Sequence, residues 1–203
     1  MVLDLLAGAA AGLVIGLSLA APPGPVNALI ASRAVTRSWR SGFLVGCGAM
    51  TADAGFLALS VLAHSAVVGA RGVLPYVALL GAAVMAYFAW GAARAWDRVP
   101  GPAAPDVRAH AASYATGLTV NATSPYPILW WLTAGLALVD RLGPAVLVGF
   151  FAGILLWISA FPWALRKAQA RFARTYHVAL GFSIVSLVAF AAWLVWTAID
   201  GLT

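Results

Sequence analysis

Asp53 stands out chemically in this chain because it interrupts an apolar run, Gly42–Ala70, that only His64 otherwise breaks. An ionised carboxylate at the centre of a bilayer costs at least ~2.5–3.5 kcal/mol on insertion scales, so such residues face an aqueous pathway or a partner. Asp53 can therefore bind a substrate ammonium, or take up and release a coupling proton. A protonated carboxyl that only joins two helices is the competing reading. Two proline clusters accompany it, Pro22-Pro23-Gly24-Pro25 and Ser124-Pro125-Tyr126-Pro127. Proline removes a backbone donor and clashes with the preceding turn, so each cluster must break or kink its helix. Broken helices present bare N–H groups that attract an anion and bare carbonyls that attract a cation. A zwitterionic amino acid carries both charges. Asn27, Asn121, Thr123 and Ser124 flank the breaks and can replace lost backbone partners or contact substrate. The candidate binding set is Pro23, Gly24, Pro25, Asn27, Asp53, Asn121, Ser124 and Pro125, with Asp53 also the candidate proton-coupling group.

Other side chains offer less. His64, His110 and His177 have no partner at metal-ligand spacing, and Cys47 is alone, as a small packing residue would be. The chain has no Glu, no glycine-rich nucleotide loop and no Ser/His/Asp nucleophile pattern. No metal, cofactor, ATP hydrolysis or covalent catalysis is expected. Arg33 either steers a carboxylate inward or snorkels to the interface. Trp130 and Trp131 form an apolar wall or face lipid.

These groups must be positioned by membrane helices. Hydrophobic residues are 63% of the 203 residues and charged ones 9%, a composition that a soluble domain of this size could not bury. Six long stretches carry it: Leu5–Ala21, Gly42–Ala70, Gly72–Ala93, Ala111–Val139, Leu142–Leu165 and Val178–Ile199. Each is near or above the ~20 residues that cross a ~30 Å hydrocarbon layer. None alternates as barrel strands do, so helices are expected. No Lys or Arg precedes the first stretch, and Pro22 and Pro23 crowd Ser18-Leu19-Ala20, so it reads as a retained span rather than a cleaved signal. Tryptophans 39, 96, 163, 193 and 196 fall near span ends, as interface anchors do.

The net charge of +6 follows topology and calls for no nucleic-acid partner. Arg33, Arg37 and Arg40 separate the first two stretches. Arg94, Arg98 and Arg108 separate the third and fourth, and Arg166, Lys167, Arg171 and Arg174 the last two. Arg71 and Arg141 remain for the opposite side. Positive loops stay inside, which makes this a multi-pass plasma-membrane protein with both termini outside.

The polar, Pro-bearing segment Asp97–His110, with Pro100, Pro102 and Pro105, divides the chain into residues 1–96, a cytoplasmic linker at 97–113, and residues 114–203. Three spans per half force the second half to insert upside down, as inverted repeats do. An echo supports this: Gly16-Leu17-Ser18 against Gly117-Leu118-Thr119, and Arg40-Ser41-Gly42 against Arg141-Leu142-Gly143. Measured from Arg37 and Arg40, Pro25 lies ~18–22 Å deep; Pro125 lies about 17 Å past Tyr114, and Asp53 ~20 Å past Arg40. The expected fold is an all-α integral membrane protein of six transmembrane helices, a 3+3 inverted repeat with broken first and fourth helices. Gly42/Gly46 and Gly149/Gly153 supply small-xxx-small faces, and the Gly-rich faces are compatible with a homodimer.

Pro23-Gly24-Pro25 after a Gly-Leu-containing span, then Arg40-Ser41-Gly42 and Gly46-x-Gly48 leading to Asp53, resembles the N-terminal signature of the LysE/RhtB-type amino-acid exporters. Asn121–Trp131 is similar to the Asn-Pro motif opening that family's second half, with Ser124 where the family usually has Asn. The resemblance covers essentially the whole chain. It implies proton-driven efflux of amino acids or related metabolites by alternating access, with Pro23, Gly24, Pro25, Asp53 and Pro125 at the site. Divalent-metal efflux, known among distant relatives of the fold, and a non-transporting membrane scaffold are the alternative readings. Metal transport normally needs clustered ligands, whereas Asp53 is alone at its depth.

Overall fold

The computed structural model describes residues 2–62, 72, 74–97, 107–131 and 135–200. His64, Arg71, Arg98, Pro100, Pro102 and Pro105 lie outside the described residues, as does much of the expected linker. Among the described residues there are nine helices and no strand. They are α1 (Val2–Ala20), α2 (Pro25–Thr36), α3 (Trp39–Leu62), α4 (Leu74–Ala93), α5 (Val107–Ala122), α6 (Pro125–Trp130), α7 (Leu136–Leu142), α8 (Ala145–Arg171) and α9 (Thr175–Asp200). Five of them, α1, α3, α4, α8 and α9, are long and apolar enough to cross a membrane. The stretch read as a broken fourth span is interrupted between Ala122 and Pro125, and α5 before that break lacks the length to cross alone.

The reason is local. At the end of α1, the next turn would need N–H groups from residues 22, 23 and 25, and all three are proline. The chain leaves the helix at Ala21, passes through an extended Gly24, and restarts at Pro25, whose missing N–H costs nothing at a first helical position. The second break repeats this solution: Ser124 is extended and Pro125 opens α6. α8 runs six residues past its expected end at Leu165, through Arg166 and Lys167 to Arg171. Charged residues end the hydrocarbon crossing without ending a helix. Buried Pro162 is carried inside α8.

Three helix pairs form the most extensive interfaces: α1 with α8, α3 with α5, and α4 with α9. The first two depend on close backbone approach. A Cβ built on Gly48 of α3 would lie 2.0 Å from the Tyr114 carbonyl oxygen and 2.7 Å from the Leu118 nitrogen. On Gly153 of α8 it would lie 2.4 Å from the Leu13 oxygen and 2.9 Å from the Leu17 nitrogen. In return, Gly117 of α5 abuts the Val45 carbonyl and Gly16 of α1 the Phe150 carbonyl. Without side chains at these points the helices gain close van der Waals contact, the attraction that remains when lipid is as apolar as the partner.

α2 is enclosed at the centre, with Asn27 through Ser32, Ala34 and Val35 buried. It packs on α3, α8 and α9. Its C-terminal end meets that of α8, where the Gln169 side chain donates to the Val35 carbonyl at 3.1 Å. The same end of the bundle joins α4 to α9, with the Tyr176 hydroxyl donating to the Ala95 carbonyl at 2.6 Å. The described basic residues of the junctions between α2 and α3, and between α8 and α9, gather here.

Gly149→Val, whose Cβ would fall 1.8 Å from the Ala9 carbonyl oxygen, should lower stability by about 1–3 kcal/mol or more through overpacking. Gly91→Val, with nothing within 4 Å, should be close to neutral. Thermal unfolding of the two variants in detergent micelles checks the contrast.

Candidate transport site

A cavity of about 520 Å³ opens where the helices are interrupted. Pro22 to Asn27 line it from the first break, and Ser124, Tyr126 and Pro127 from the second. Asp53 of α3 and Asn121 of α5 reach it as well. The α8 wall is apolar and aromatic, formed by Phe150, Ile154, Trp157 and Ile158. Seven of the eight residues singled out from sequence thus meet at one cavity. The eighth, Pro125, is buried behind it and acts by starting α6.

Asn27 holds the first break together. Its amide nitrogen donates to the Ala20 carbonyl at 2.6 Å and to the Pro22 carbonyl at 2.7 Å, two backbone acceptors at the point where the helix is interrupted. Its side-chain oxygen accepts from the Trp157 indole at 3.0 Å. With 6% of its surface exposed, the side chain is committed to the backbone and to α8. Of the two roles open to Asn27 in the sequence, the geometry supplies the first, replacing lost backbone partners.

The second break is tied differently. Asn121, also 6% exposed, donates to the Ala49 carbonyl of α3 at 2.8 Å. It lines the same cavity as the Asp53 carboxylate. The Trp131 indole, whose ring is 1% exposed, donates to Asp53 Oδ1 at 3.4 Å. Thr123 turns back on its own helix, its hydroxyl donating to the Thr119 carbonyl at 2.8 Å. Ser124 makes no side-chain cap, which leaves its hydroxyl at the cavity wall.

The remaining backbone groups give the cavity its polarity. Leu19, which lines the cavity, has a carbonyl with no helical donor, because residue 23 is proline. At the start of α2, Gly24 offers no side-chain cap to the first N–H groups. One lip of the break therefore presents carbonyls and the other presents N–H groups at a helix N-terminus, which favours negative charge.

Arg33 does not line the cavity. It lies one turn beyond Ile30, and its guanidinium donates to the Thr116 hydroxyl of α5 at 3.4 Å. Between the cavity and the basic end stands a packed cluster that includes Ala31, Val35, Ala92, Tyr176 and Leu180. Trp130 and Trp131, left between two roles by sequence, both line the cavity and pack on Phe150, at ring centroid separations of 5.3 and 5.2 Å. Trp193 borders the cavity as well as sitting near a helix end. Trp39, read as an interface anchor, uses its indole to donate to the Ser159 carbonyl at 2.9 Å. Trp157 was missed in the sequence; an indole in the middle of an apolar span, needing one acceptor, was the available signal. Among the described residues, no three of His, Cys, Asp or Glu lie together as a metal site would need.

Residues 17–199, which carry both breaks and Asp53, match the family of the LysE type translocator. The chain belongs to the LysE type translocator family. A relative in Bacillus subtilis (strain 168), named "Putative amino acid efflux protein YcgF", is 26% identical over 193 residues, covering 88% of this chain and 90% of the relative. No solved structure matches. This LysE family member is therefore a multi-pass membrane transporter, a class that acts on a small-molecule substrate within a lipid bilayer.

Asn27→Leu would leave the Ala20 and Pro22 carbonyls and the Trp157 indole without their partner. Each orphaned buried group costs about 1–3 kcal/mol. The variant should unfold at a lower temperature than Asn27→Gln, which keeps an amide, and thermal unfolding in detergent distinguishes them.

Proposed function

We propose that this translocator exports amino acids, or closely related small metabolites, from the cytoplasm by proton-coupled alternating access around the cavity at the two helix breaks. One observation carries the reading: the breaks, though about 100 residues apart in sequence, border the same chamber as Asp53, an acid inside an apolar helix. The substrate carboxylate would face the uncapped N-terminus of α2, and its ammonium would face Asp53 and the free carbonyls of α1. Pro23, Gly24 and Pro25 shape this lip, Asn27 fixes it, and Asn121 and Ser124 border the opposite one. Asp53 takes up and releases the coupling proton as the substrate ammonium leaves and returns.

The proposed architecture is six spans in two inverted halves, residues 1–96 and 114–203, joined by the linker at 97–113. The first span would be α1 plus α2, and the fourth α5 with α6 and α7. The helix contacts support this plan. Adding 101 to the α1 positions and 105 to the α3 positions carries the contact of Gly117 with Val45 onto that of Gly16 with Phe150. The same shifts carry Gly48 against Tyr114 and Leu118 onto Gly153 against Leu13 and Leu17. A twofold exchanging the halves also turns the α1–α8 pair into α5–α3 and leaves α4–α9 unchanged. The basic end is the cytoplasmic one in this reading, with both termini outside. The layer of Ala31, Val35, Tyr176 and Leu180 then closes the cavity from the cytoplasm, and alternating access requires that layer to part.

The test is efflux from preloaded proteoliposomes, with a panel of amino acids and with or without an imposed pH gradient. The wild type should release substrate faster when protons can enter in exchange. Asp53→Asn should insert normally and lose that acceleration, with flux reduced tenfold or more. Normal, gradient-responsive flux in this variant would remove Asp53 from the coupling step.

A further inference from the structure

We infer that the substrate is a neutral amino acid with a bulky apolar side chain, aromatic above all, rather than a small, basic or acidic one. This rests on the export reading above and specifies the ligand of that same site. Charge is the first consideration. Among the described residues lining the cavity, Asp53 is the sole carboxylate, and no Arg, Lys or His is present. A single ammonium can therefore be matched by a side chain. A second cation, as in a basic amino acid, would enter a chamber with no second acid. An acidic side chain would find no cation. Either would lose hydration without a partner, the costly case for a charge in an apolar setting.

Size is the second consideration. A cavity of about 520 Å³ holds roughly seventeen water-sized volumes. Alanine has about six heavy atoms and tryptophan about fifteen, so a small amino acid would leave most of the chamber filled with water, whereas a large one displaces it. The lining decides what that water should give way to. Trp130 lies nearly parallel to Phe150, with ring planes 16° apart, and Trp131 meets the same phenylalanine edge-on at 76°. Trp157 of α8 and Phe190 and Trp193 of α9 supply further aromatic surface. Water on such walls gains little hydrogen bonding, and an apolar group replacing it gains area burial and ring contacts.

The geometry also joins the two halves of the ligand. Trp131 donates its indole N–H to Asp53, so the carboxylate sits at the edge of the aromatic cluster. An ammonium held by Asp53 is thus next to ring faces that attract cations. The side chain that leaves the same α-carbon can reach the Trp130–Phe150 wall without leaving the cavity. Asp53 selects the ammonium and the aromatic wall selects what is attached to it.

Purified transporter should be examined by equilibrium binding and by proteoliposome efflux with tryptophan, phenylalanine, leucine, alanine, lysine and glutamate. Tryptophan and phenylalanine should bind and move at least about tenfold better than alanine, with leucine between, since each buried methylene contributes several-fold. Lysine and glutamate should be at or below alanine. Trp130→Leu and Phe190→Leu, which keep apolar character, should each narrow the tryptophan-over-alanine ratio about fivefold or more. If alanine or lysine is the best substrate, or the ratio is unchanged in both variants while they transport, the inference is overturned and amino-acid export stands. If none of the amino acids binds or moves, the export reading fails and this one falls with it.

Discussion

A helix that stops inside a bilayer leaves carbonyls and N–H groups that lipid cannot hydrogen-bond, and every other feature of this transporter is arranged around that constraint. Such backbone survives only when it is buried in protein or borders a polar chamber. Both solutions are used here. Asn27 supplies the two donors missing beyond α1 and is itself pinned by Trp157. The groups it does not reach are left at the cavity, where a charged ligand can complete them. In the proposed reading, stability and binding share the same interrupted turn.

The surrounding helices can be understood as what keeps that turn dry on its lipid side. α2 is short and carries Asn27, Ser32, Arg33 and Thr36, yet it is enclosed by neighbours along nearly its whole length. The enclosure depends on glycine at the crossing points of α1 with α8 and α3 with α5, since any side chain there would push the pair apart. Close crossing brings Trp157 within reach of Asn27 and Trp131 within reach of Asp53. Each indole fastens the segment after a break to the second helix of the other half. The two links join corresponding elements under the proposed twofold, but the indole comes from α8 in the first and from the segment after the break in the second.

Much of this was legible in the sequence because proline and charge act locally. Pro22, Pro23 and Pro25 forbid a continuous helix whatever surrounds them, and Asp53 in an apolar run demands a polar neighbour. Residue type alone could not divide the labour among neighbours. Asn27 and Asn121 look alike in sequence, and only packing shows the first bridging a break and the second spanning two helices. Pro125 matters for where α6 begins and not for what the cavity presents. Trp131 and Trp157 were obscured for another reason: an indole reads as hydrophobic bulk until an acceptor is placed beside its N–H. The limits of α8 were missed because charged side chains mark where hydrocarbon ends, whereas a helix ends where its hydrogen bonds do.

The central claim is that a hydrated chamber lies between the two breaks in the middle of the membrane. Cys47 is the chain's one cysteine, so Cys47→Ala gives a background in which a single new thiol can be followed. In that background, Ser124→Cys should react in intact membranes with a small, charged, water-soluble thiol reagent, because Ser124 lines the cavity, which the proposed topology sets deep in the layer. A thiol that stays unreactive in the membrane, and reacts only once the protein is denatured, would contradict the account.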